Sequence, residues 1–477
     1  MRCALVMPSW LLEDVFPEKT SKAQANYWQP LNMLYLGACL EREGYEVKFF
    51  DGSFLAHDTI LERLRKFKPE FVGVYSNAFL WPRAKKTAED IKEKVDESIH
   101  VTCGGPYPTA MGAKLLEESR FDSIVVGEGE IAATELAKKV EAGEEPRGVK
   151  GVSYRSRSGE IVRNPPAPLI EDLDSLPFPA RHLLENPFLY LPPLGNYRRK
   201  PVAIVMTSRG CDARCIYCFQ PDKERKVRYR SVENVMQEIE QCLDMGYREI
   251  RFLDDNFCRD YKRVMRICEE IKKRGLDFTW YVSARVNHVD KPLLKAMKDA
   301  GCWAVLFGIE SGVQKNLNTL RKGITLDQVR RAVKSAKEVG LHVHGSFILG
   351  IPGETFEEGL KTIEFAIELD PDTANFHTLV PFPGTELYDR VNEYGRLIGD
   401  WERFTFDGTP FVPHTMSVEE LERLRSIAFR RFYVRPRYMI KRLLKVRTAD
   451  DLRVLYIGMK SLFWLMVKKN LFRARSA

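Results

Sequence analysis

The stretch that decides the fold is Ser208-Arg-Gly-Cys-Asp-Ala-Arg-Cys-Ile-Tyr-Cys-Phe219, directly behind the apolar segment Val202–Met206. It places Cys211, Cys215 and Cys218 in a Cys-x3-Cys-x2-Cys pattern, so a single loop supplies three thiolates. Structural zinc sites are closed by four ligands, whereas Fe–S clusters are held by cysteine thiolates from such compact loops. Three ligands on a four-iron cluster leave one iron open to a substrate. The alternative is a zinc site completed by a distant histidine, or three ordinary core cysteines.

The cysteine spacing, the aromatic Tyr217 before the third cysteine and the preceding strand together resemble the radical S-adenosylmethionine (SAM) superfamily. The resemblance implies a 4Fe-4S cluster whose open iron chelates SAM. It also implies cleavage of SAM by one electron, with release of a 5′-deoxyadenosyl radical. In such enzymes the cofactor carries the difficult step, and the protein supplies ligation, orientation and exclusion of side reactions.

The 477 residues exceed what one hydrophobic core usually holds, and the sequence pattern divides them into four segments. Residues 1–145 alternate strand-like and helix-like runs, which predicts an α/β, Rossmann-like domain with a doubly wound parallel sheet. Residues 146–200 are rich in proline and are predicted to be a linker. The alternation resumes over 201–390, where six strand–helix units fit the partial (β/α)6 barrel of the radical SAM family. Residues 391–477 are predicted to form a helical, basic and amphipathic C-terminal tail.

Local patterns predict the individual elements. Ser231 precedes a helical apolar face and is a candidate N-cap. The strands predicted in the first domain are Cys3–Met7, Val47–Phe50, Phe71–Tyr75, Ile99–Cys103 and Ser123–Val126. Those predicted in the barrel are Val202–Met206, Glu249–Leu253, Phe278–Val282, Ala304–Phe307, Val343–Leu349 and Asn375–Val380.

Glycine and polar residues follow the predicted strands of the first domain, at the sheet edge where parallel α/β sheets bind ligands. Four runs, Gln29–Ala38, Asp51-Gly52, Gly104–Thr109 and Gly127–Glu130, resemble in their order the cobalamin-binding domain fused to many radical SAM enzymes. The resemblance implies a bound cobalamin contacted by Asp51, Ser76, Gly104, Gly105, Gly127 and Glu128.

No Asp-x-His-x-x-Gly run occurs in the chain, so the histidine that lies below cobalt in other cobalamin proteins is missing. Many fused radical SAM members lack it as well, and cobalamin binding therefore remains the expectation. The ligand below cobalt is left open. The alternative is a flavodoxin-like domain whose pocket has degenerated and is now structural.

The loop after the second barrel strand, Leu253–Phe257, carries Asp254 and Asp255. The resemblance implies that polar groups here bind the SAM ammonium group, and carboxylates are suitable acceptors for it. Helix capping by Asp255 or Asn256 is the alternative role.

The later strand ends continue the resemblance. Ser283 and Arg285 follow the third strand, and Arg285 offers a cation suited to the SAM carboxylate, with a surface ion pair as the alternative. The runs Phe307–Gly312, Ile348–Glu354 and Val380–Thr385 match the family's remaining SAM-binding elements. They imply contacts from Glu310 and Ser311 to the methionyl or ribose part of SAM, and from Gly350, Gly353 and Pro383 near adenine.

Three histidines lie on or beside predicted barrel strands. His342 and His344 share one strand face, so one of them could point into the barrel. For these two and for His377, a core or surface role is favoured over a catalytic one.

Basic residues are concentrated at the C-terminal end. The net charge is +8, and the chain from Arg430 onward holds 14 Lys and Arg against two Asp, which leaves residues 1–429 at −4. Nucleic-acid binding by the main body is therefore not expected. The basic and aromatic segment Arg430–Lys469 predicts either a peripheral membrane contact or a helical cap on the barrel. Its apolar run Val454–Val467 is shorter than the ~20 residues that a membrane span needs.

The cysteine content and the N-terminus favour a cytoplasmic protein, with peripheral membrane attachment left open. Most of the ten cysteines lie in apolar segments, where a free cysteine behaves as a small hydrophobe. The apolar run at Met1–Met7 is too short for a signal peptide and predicts a first strand.

Together these resemblances imply an enzyme that uses a 4Fe-4S cluster, SAM and cobalamin to functionalise an unactivated carbon. The partners they imply are a small-molecule or lipid substrate and an external electron donor such as flavodoxin or ferredoxin. Methyl transfer through cobalamin is the main hypothesis. Radical cyclisation, coupling or rearrangement, with cobalamin a spectator or absent, is the second. A non-catalytic Fe–S electron-transfer or sensor module is the third and predicts no SAM cleavage.

Overall fold

Two sheets, of seven and six strands, organise the chain. A computed structural model describes residues 1–11, 27–193, 195–221, 225–399 and 409–444, and the single positions 446, 452, 456 and 460. Every strand predicted from the sequence is present, with ends that differ by at most three residues.

The first sheet has the strand order β2-β1-β3-β4-β5-β6-β7. Its first five strands are parallel, and apolar side chains from both of its faces pack under helices, so the doubly wound Rossmann-like prediction is confirmed. The strands are β1 Arg2–Met7, β2 Glu46–Asp51, β3 Phe71–Tyr75, β4 His100–Gly104, β5 Ser123–Val125, β6 Val152–Arg155 and β7 Ile161–Arg163. The helices are α1 Leu31–Arg42, α2 His57–Phe67, α3 Trp81–Lys94, α4 Pro106–Met111, α5 Lys114–Glu117 and α6 Gly129–Glu141.

The first sheet extends beyond the predicted boundary at residue 145. β6 and β7 lie in the segment predicted as a linker and add two antiparallel strands to the β5 edge. Both strands are short, and β7 is at most half-buried, so neither produces the apolar run that marks a central strand.

The second sheet has the order β15-β14-β13-β12-β11-β8, with all neighbours parallel and in sequence order. β8 and β15 lie at opposite ends of this order, so the array is open, as expected for a partial barrel. Its strands are β8 Val202–Val205, β11 Glu249–Phe252, β12 Thr279–Ala284, β13 Cys302–Glu310, β14 His342–Leu349 and β15 Thr373–Thr378. β9 Ser208–Arg209 and β10 Arg228–Tyr229 pair with each other as a separate antiparallel sheet. The helices are α7 Val232–Asp244, α8 Tyr261–Lys273, α9 Lys291–Asp299, α10 Gln314–Thr319, α11 Leu326–Glu338 and α12 Phe356–Leu369.

Helix starts in the barrel follow local capping chemistry. The predicted N-cap is confirmed, because the Ser231 hydroxyl accepts a hydrogen bond from the N–H of Asn234. Thr325 and Thr355 form reciprocal capping boxes with the residues three positions later. These caps satisfy N–H groups that a helix leaves without internal partners.

The first part of the C-terminal tail is a cap on the last barrel strand. The short helix α13 Glu386–Asp389 ends the barrel segment. The tail then contains α14 Val391–Tyr394, β16 Gly395–Leu397, β17 Phe411–Pro413, α15 Val418–Tyr433 and α16 Pro436–Leu444. Phe432 is buried, and the hydroxyls of Tyr433 and Tyr438 donate to the carbonyls of Ala374 and Asp372 at 2.7 and 2.9 Å.

The outer face of α16 exposes Ile440, Leu443 and Leu444. The run Val454–Val467 lies outside the described residues. Among the described helices, none has the length and hydropathy of a membrane span.

Hydrogen bonds and apolar contacts together join the two sheets. Gln29 donates to the hydroxyl of Tyr247 at 2.8 Å and accepts from the N–H of Ile204 at 3.0 Å. Around it, Leu31 and Tyr35 of α1 pack with linker residues and with Ile204 of β8. Buried contacts of this kind orient the first sheet against the barrel.

Candidate active site

The cysteine loop leaves β8 in a conformation held from two sides. Asp254 accepts hydrogen bonds from the N–H and hydroxyl of Thr207 and from the hydroxyl of Ser208, at 2.5 to 2.7 Å. Gly210 has φ +92°, and a Cβ there would lie 2.3 Å from the carbonyl oxygen of Lys226. The entry to the loop therefore requires glycine.

The three cysteines project from this one loop, with Cys215 buried, Cys211 half-buried and Cys218 exposed. Burial raises the pKa of the Cys211 thiol, and the negative charges of Asp255 and Cys215 add to the effect. Cluster binding would displace protons from thiols held in this way. Nη1 of Arg285 lies 3.8 Å from Sγ of Cys215, so a fixed cation stands beside the thiolates. The donor set therefore fits a cluster held by three thiolates.

The two predicted ammonium ligands have different surroundings. Asp254 is buried and accepts three hydrogen bonds, whereas Asp255 is exposed. Loss of hydration and the neighbouring charge of Asp254 raise the pKa of Asp255, and a hydrogen bond from the N–H of Gly210 partly opposes that rise. Asp260, not Asp255 or Asn256, caps the next helix, α8. Asp255 is consequently the carboxylate open to a ligand beside the cysteines.

A buried polar group lies next to the cysteine loop. Nζ of Lys322 is 2.6 Å from Oε1 of Glu310, and the hydroxyl of Tyr217 donates to the same oxygen at 3.1 Å. Arg285 donates to the carbonyl of Lys322. Sequence reasoning missed Lys322, because a lysine beside a loop glycine carries no distinctive signal before the chain is folded.

Backbone strain accompanies this group. Glu310 has φ +64°, in the left-handed region, where a non-glycine residue is held only by its surroundings. A Cβ at Gly308 would lie 2.6 Å from Glu310 and 2.8 Å from Lys322. The glycine two residues earlier thus leaves room for the Glu310–Lys322 pair.

Ser311, in contrast, helps to hold the neighbouring Gly350–Gly353 turn in place. It is buried, and its hydroxyl is 3.0 Å from that of Thr362. Asn316 contacts Ser311 at 3.4 Å and donates to Glu354 at 3.0 Å. Oε2 of Glu354 accepts from the N–H of Gly350 at 2.6 Å, so a buried carboxyl shapes the Gly350–Gly353 turn.

The remaining predicted barrel residues lie on either side of the cysteine loop. Ser283 accepts a hydrogen bond from Arg251 at 2.7 Å. Pro383 is buried, and a Cβ on the adjacent Gly384 would lie 2.6 Å from Phe219 and 3.0 Å from Ala110 of α4. The loop after β15 therefore contacts both the cysteine loop and the first domain.

Glycines at the strand ends of the first domain surround a cavity of about 110 Å³. Its lining includes the predicted residues Gly104, Gly105 and Gly127. Gly105 has φ +121°, and a Cβ there would lie 2.3 Å from the carbonyl oxygen of Ser76, so this position is restricted to glycine. The glycines leave the backbone at this edge open to close approach, which suits contact with part of a large group such as cobalamin.

Two other predicted cobalamin contacts are engaged with protein. Asp51 is buried and accepts from the hydroxyl of Tyr190 at 2.6 Å and the N–H of Ser53 at 2.8 Å. Ser76 is buried beside the glycine turn, where its N–H donates to the carbonyl of Gly104 at 2.8 Å.

Glu128 takes part in an ionic seam between the two sheets, which we define as Glu128, Glu130, Arg209 and Arg228. Arg228 binds Glu128 through both terminal nitrogens at 2.8 Å, and Arg209 binds Glu130 at 2.6 Å and Glu128 at 3.2 Å. Burial alone would raise the pKa of Glu128, but hydrogen bonds from Arg228 and Ile170 and the charge of Arg209 hold it below its ordinary value. The seam ties the Gly127–Glu130 loop to the residue two positions before Cys211.

His342 and His344 face each other in the interior of the barrel, with ring centroids 4.7 Å apart. Both lie near Trp303, and His344 also lies near Tyr281. Burial, together with the nearby charges of His342 and Arg251, holds the pKa of His344 well below its ordinary value. His344 is therefore a neutral interior side chain, in line with the favoured role.

Two family models match the chain over the segments that carry these sites. The Radical SAM superfamily model matches residues 205–366, and the B12 binding domain model matches residues 23–137. An uncharacterized methyltransferase of Pyrococcus horikoshii is 37% identical over 421 residues, covering 86% of this chain and 89% of its own length. The chain belongs to the radical SAM superfamily, with an N-terminal B12-binding domain.

Further comparisons agree with this assignment. An anaerobic magnesium-protoporphyrin IX monomethyl ester cyclase of Rubrivivax gelatinosus is 30% identical over 429 residues, or 87% of this chain and 75% of the relative. The radical SAM methyltransferase TsrM of Kitasatospora setae, solved with cobalamin and a [4Fe-4S] cluster, has the same fold. Its TM-score is 0.66 at 23% identity, covering 82% of this chain and 75% of its own.

Membership of the radical SAM superfamily decides between several alternatives that the sequence left open. The cofactors of this radical SAM enzyme are a 4Fe-4S cluster, SAM and cobalamin. The zinc-site and degenerate-flavodoxin interpretations are thereby replaced, and the chain is an enzyme rather than an electron-transfer module.

Proposed function

We propose that this radical SAM enzyme methylates an unactivated carbon, with cobalamin as carrier of the methyl group. The observation that carries the proposal is the ionic seam, in which Arg209 of the cysteine loop binds Glu128 and Glu130 of the glycine cradle. Both candidate cofactor sites are thereby held against each other. The names of the relatives described above include methyltransferases, which supports the same chemistry.

Each group of residues has a defined task in this proposal. Cys211, Cys215 and Cys218 ligate the cluster, and Asp255 and Arg285 receive the ammonium and carboxylate ends of SAM. The Gly350–Gly353 turn and Pro383 approach adenine, and Gly104, Gly105 and Gly127 let cobalamin approach the backbone. When bound, the cluster and SAM supply a 5′-deoxyadenosyl radical and cobalamin supplies the methyl carrier. Electrons come from an external donor such as flavodoxin or ferredoxin.

Product analysis with labelled SAM tests the proposal. Anaerobically reconstituted enzyme, a low-potential reductant, methyl-labelled SAM and extracts of candidate small molecules or lipids should yield a labelled product. Each methyl transferred should be accompanied by one S-adenosylhomocysteine and one 5′-deoxyadenosine. A product that forms with 5′-deoxyadenosine but without label or S-adenosylhomocysteine would exclude methyl transfer.

Radical cyclisation is the second candidate function, because the Rubrivivax gelatinosus relative is named a cyclase. It predicts substrate oxidation or ring closure with no labelled methyl group in the product. The product assay described above therefore separates the two candidates by isotope content alone.

The proposal includes a cytoplasmic location with peripheral membrane contact through α16. All ten cysteines are free, which suits a reducing compartment. Exposed Ile440, Leu443 and Leu444 lie beside Lys441 and Arg442, the combination that favours an interface with anionic lipid.

Vesicle flotation tests the membrane contact. The full chain should float with vesicles containing anionic lipid and less so as salt is raised. A double change of Leu443→Glu and Leu444→Glu should abolish flotation without lowering the melting temperature. The control Met245→Glu, at an exposed apolar site elsewhere, should leave flotation unchanged. Flotation of the unchanged chain at background level would exclude the contact.

A further inference from the structure

Arg251 lies on β11 and faces the inside of the strand array. Its neighbours Ile250 and Phe252 belong to the core under the helices, as do Trp280 and Val282 of the adjacent strand β12. Because successive side chains of a strand point to opposite faces, Arg251 points to the interior, together with the alternate residues of β12.

The guanidinium of Arg251 has few hydrogen-bond partners for a buried cation. It is 7% exposed, its Cζ lies 3.5 Å from the centroid of the Tyr281 ring, and Nη2 donates to Ser283 at 2.7 Å. Nε and Nη1 are buried without a hydrogen-bond partner among the described residues. Buried donors left unpaired cost stability, and a buried charge is ordinarily paired.

Other buried arginines of the described chain show the contrast. Arg181, Arg228 and Arg230 each form an ion pair with a glutamate. Arg263 donates to a hydroxyl and to two backbone carbonyls. Arg181 also leaves Nε and Nη1 without a partner, so the number of unpaired donors does not set Arg251 apart. What differs is that Arg251 has neither a carboxylate nor a carbonyl partner among the described residues.

A second unpaired polar atom lies on the same interior face. Nδ1 of His344 is 2.5 Å from the Thr373 hydroxyl, while Nε2 is buried without a partner among the described residues. The His344 ring centroid is 5.3 Å from that of Tyr281, the ring that Arg251 covers. Arg251 and His344 therefore lie beside the same ring, that of Tyr281, and each has at least one nitrogen without a hydrogen-bond partner.

This interior group lies below the cysteine loop. Ser283, the partner of Arg251, is two residues before Arg285, and two residues of a strand rise about 7 Å. Arg285 in turn reaches Cys215 at 3.8 Å. Arg251 is thus connected to Cys215 by way of Ser283 and Arg285.

We infer that Arg251 anchors an oxyanion, a carboxylate or phosphate group, of the substrate inside the strand array, with Ser283, Tyr281 and His344 completing the site. An arginine is suited to such groups because its planar donors match their oxygens. The identification of the occupant as substrate rests on the proposed function, but the anion site itself does not.

Anion binding can be measured without turnover. The full chain, reconstituted with its cluster and saturated with SAM in the absence of reductant, is titrated with inorganic phosphate or with acetate. Sodium chloride at equal ionic strength is the reference, and the melting temperature is followed, since a ligand of the native state raises it. Saturation with SAM is verified separately, so failure of SAM binding is distinguished from failure of the anion site.

The wild type should be stabilised by phosphate, by acetate or by both, and the responding anion identifies the class of oxyanion. Arg251→Gln should weaken the response about 10- to 100-fold in midpoint concentration, as loss of a charge-assisted hydrogen bond predicts. Arg251→Lys, which keeps the charge, should retain part of it, and Arg330→Gln, which removes an exposed cation on α11, should retain all of it. No response of the wild type beyond chloride, or an unchanged response in both Arg251 variants, would overturn the inference.

Discussion

The two parallel sheets present opposite chemistry at their carboxyl ends. In the first sheet, glycines border a cavity, and acidic side chains nearby are used to fasten neighbouring segments, Asp51 to Tyr190 and Glu128 to Arg228. At the second sheet, side chains rather than backbone are gathered at this edge: three thiols, Arg285 and the Glu310–Lys322 pair. The comparison shows that one sheet architecture can approach a cofactor with backbone or with charged groups. The ionic seam connects the glycine-bordered cavity of the first sheet to the cysteine loop of the second.

The largest expected effect is on the second sheet. Changing Cys211, Cys215 or Cys218 to Ala should abolish the cluster and all SAM cleavage, because three thiolates are the whole protein ligand set. The reconstituted wild type should hold about four irons and four sulfides per chain. Iron and sulfide analysis and the yield of 5′-deoxyadenosine measure the outcome. As matched controls, Cys258→Ala and Cys302→Ala, both in the helix-covered core, should keep the cluster; cleavage retained in the triple variant would refute the ligand assignment.

Glycine variants test whether cobalamin approaches the backbone at the strand ends of the first sheet. Gly105→Ala should lose cobalamin uptake and also destabilise the fold by about 1 to 3 kcal/mol, because it combines positive φ with a clash. At Gly104 the nearest atom to a new Cβ is 3.7 Å away, so Gly104→Val should fold normally but fill the cradle and weaken uptake about 10-fold or more. Corrinoid absorbance after gel filtration and thermal melts report the two effects.

Gly143→Ala provides the control for backbone strain alone. Gly143 has φ +66° with no atom within 4 Å of a new Cβ. The Gly143→Ala variant should lower the free energy of unfolding without changing cobalamin uptake. Equal uptake by the Gly104→Val variant and the wild type would show that cobalamin does not occupy this cavity.

The ionic seam can be tested by a double-mutant cycle of Glu128→Gln and Arg209→Gln. Each single change leaves a partly buried charge with one remaining ion pair, so it should cost about 1 to 3 kcal/mol, and the double change should cost less than the sum. Urea unfolding measures the coupling. Methyl transfer should fall more than cluster content or cobalamin uptake; strictly additive costs would show that the pair does not couple the loops.

The last prediction concerns the buried carboxyl that shapes the loop after β14, and its effect is confined to a range of pH. Burial raises the pKa of Glu354 to about 7 from 4.5, so the folded state keeps a proton that the unfolded chain loses between these values. Stability should therefore decline as pH rises from about 4.5 to about 7, by up to about 3 kcal/mol, and then level off. The Glu354→Gln variant should lack this decline in urea unfolding at pH 5 to 8. Parallel pH profiles of the two proteins would contradict the assignment.

Sequence patterns predicted the elements closely where a strand is buried on both faces or where the signal is local. Buried parallel strands such as Phe71–Tyr75 are continuous apolar runs, and the cap at Ser231 depends on neighbouring residues alone. The antiparallel pair Val152–Arg155 and Ile161–Arg163 was not predicted, because its stability comes from the β5 edge rather than from its own composition. The assignments of Asp51 and Glu128 to cobalamin remain predictions, since both carboxylates already bind protein donors.

By itself the sequence determined the succession of the two domains, the three-thiolate loop and the glycine positions at the strand ends. These depend on local spacing and on backbone geometry, which short motifs encode directly. Only the tertiary structure decided which charges meet: Lys322 pairs with Glu310 and Arg209 with Glu128, whereas Arg251 has no ion pair among the described residues. The physical reason is that an ion pair or an unpaired cation is a property of two surfaces brought together. Even within the group beside the cysteine loop, the residues that meet are up to 105 positions apart.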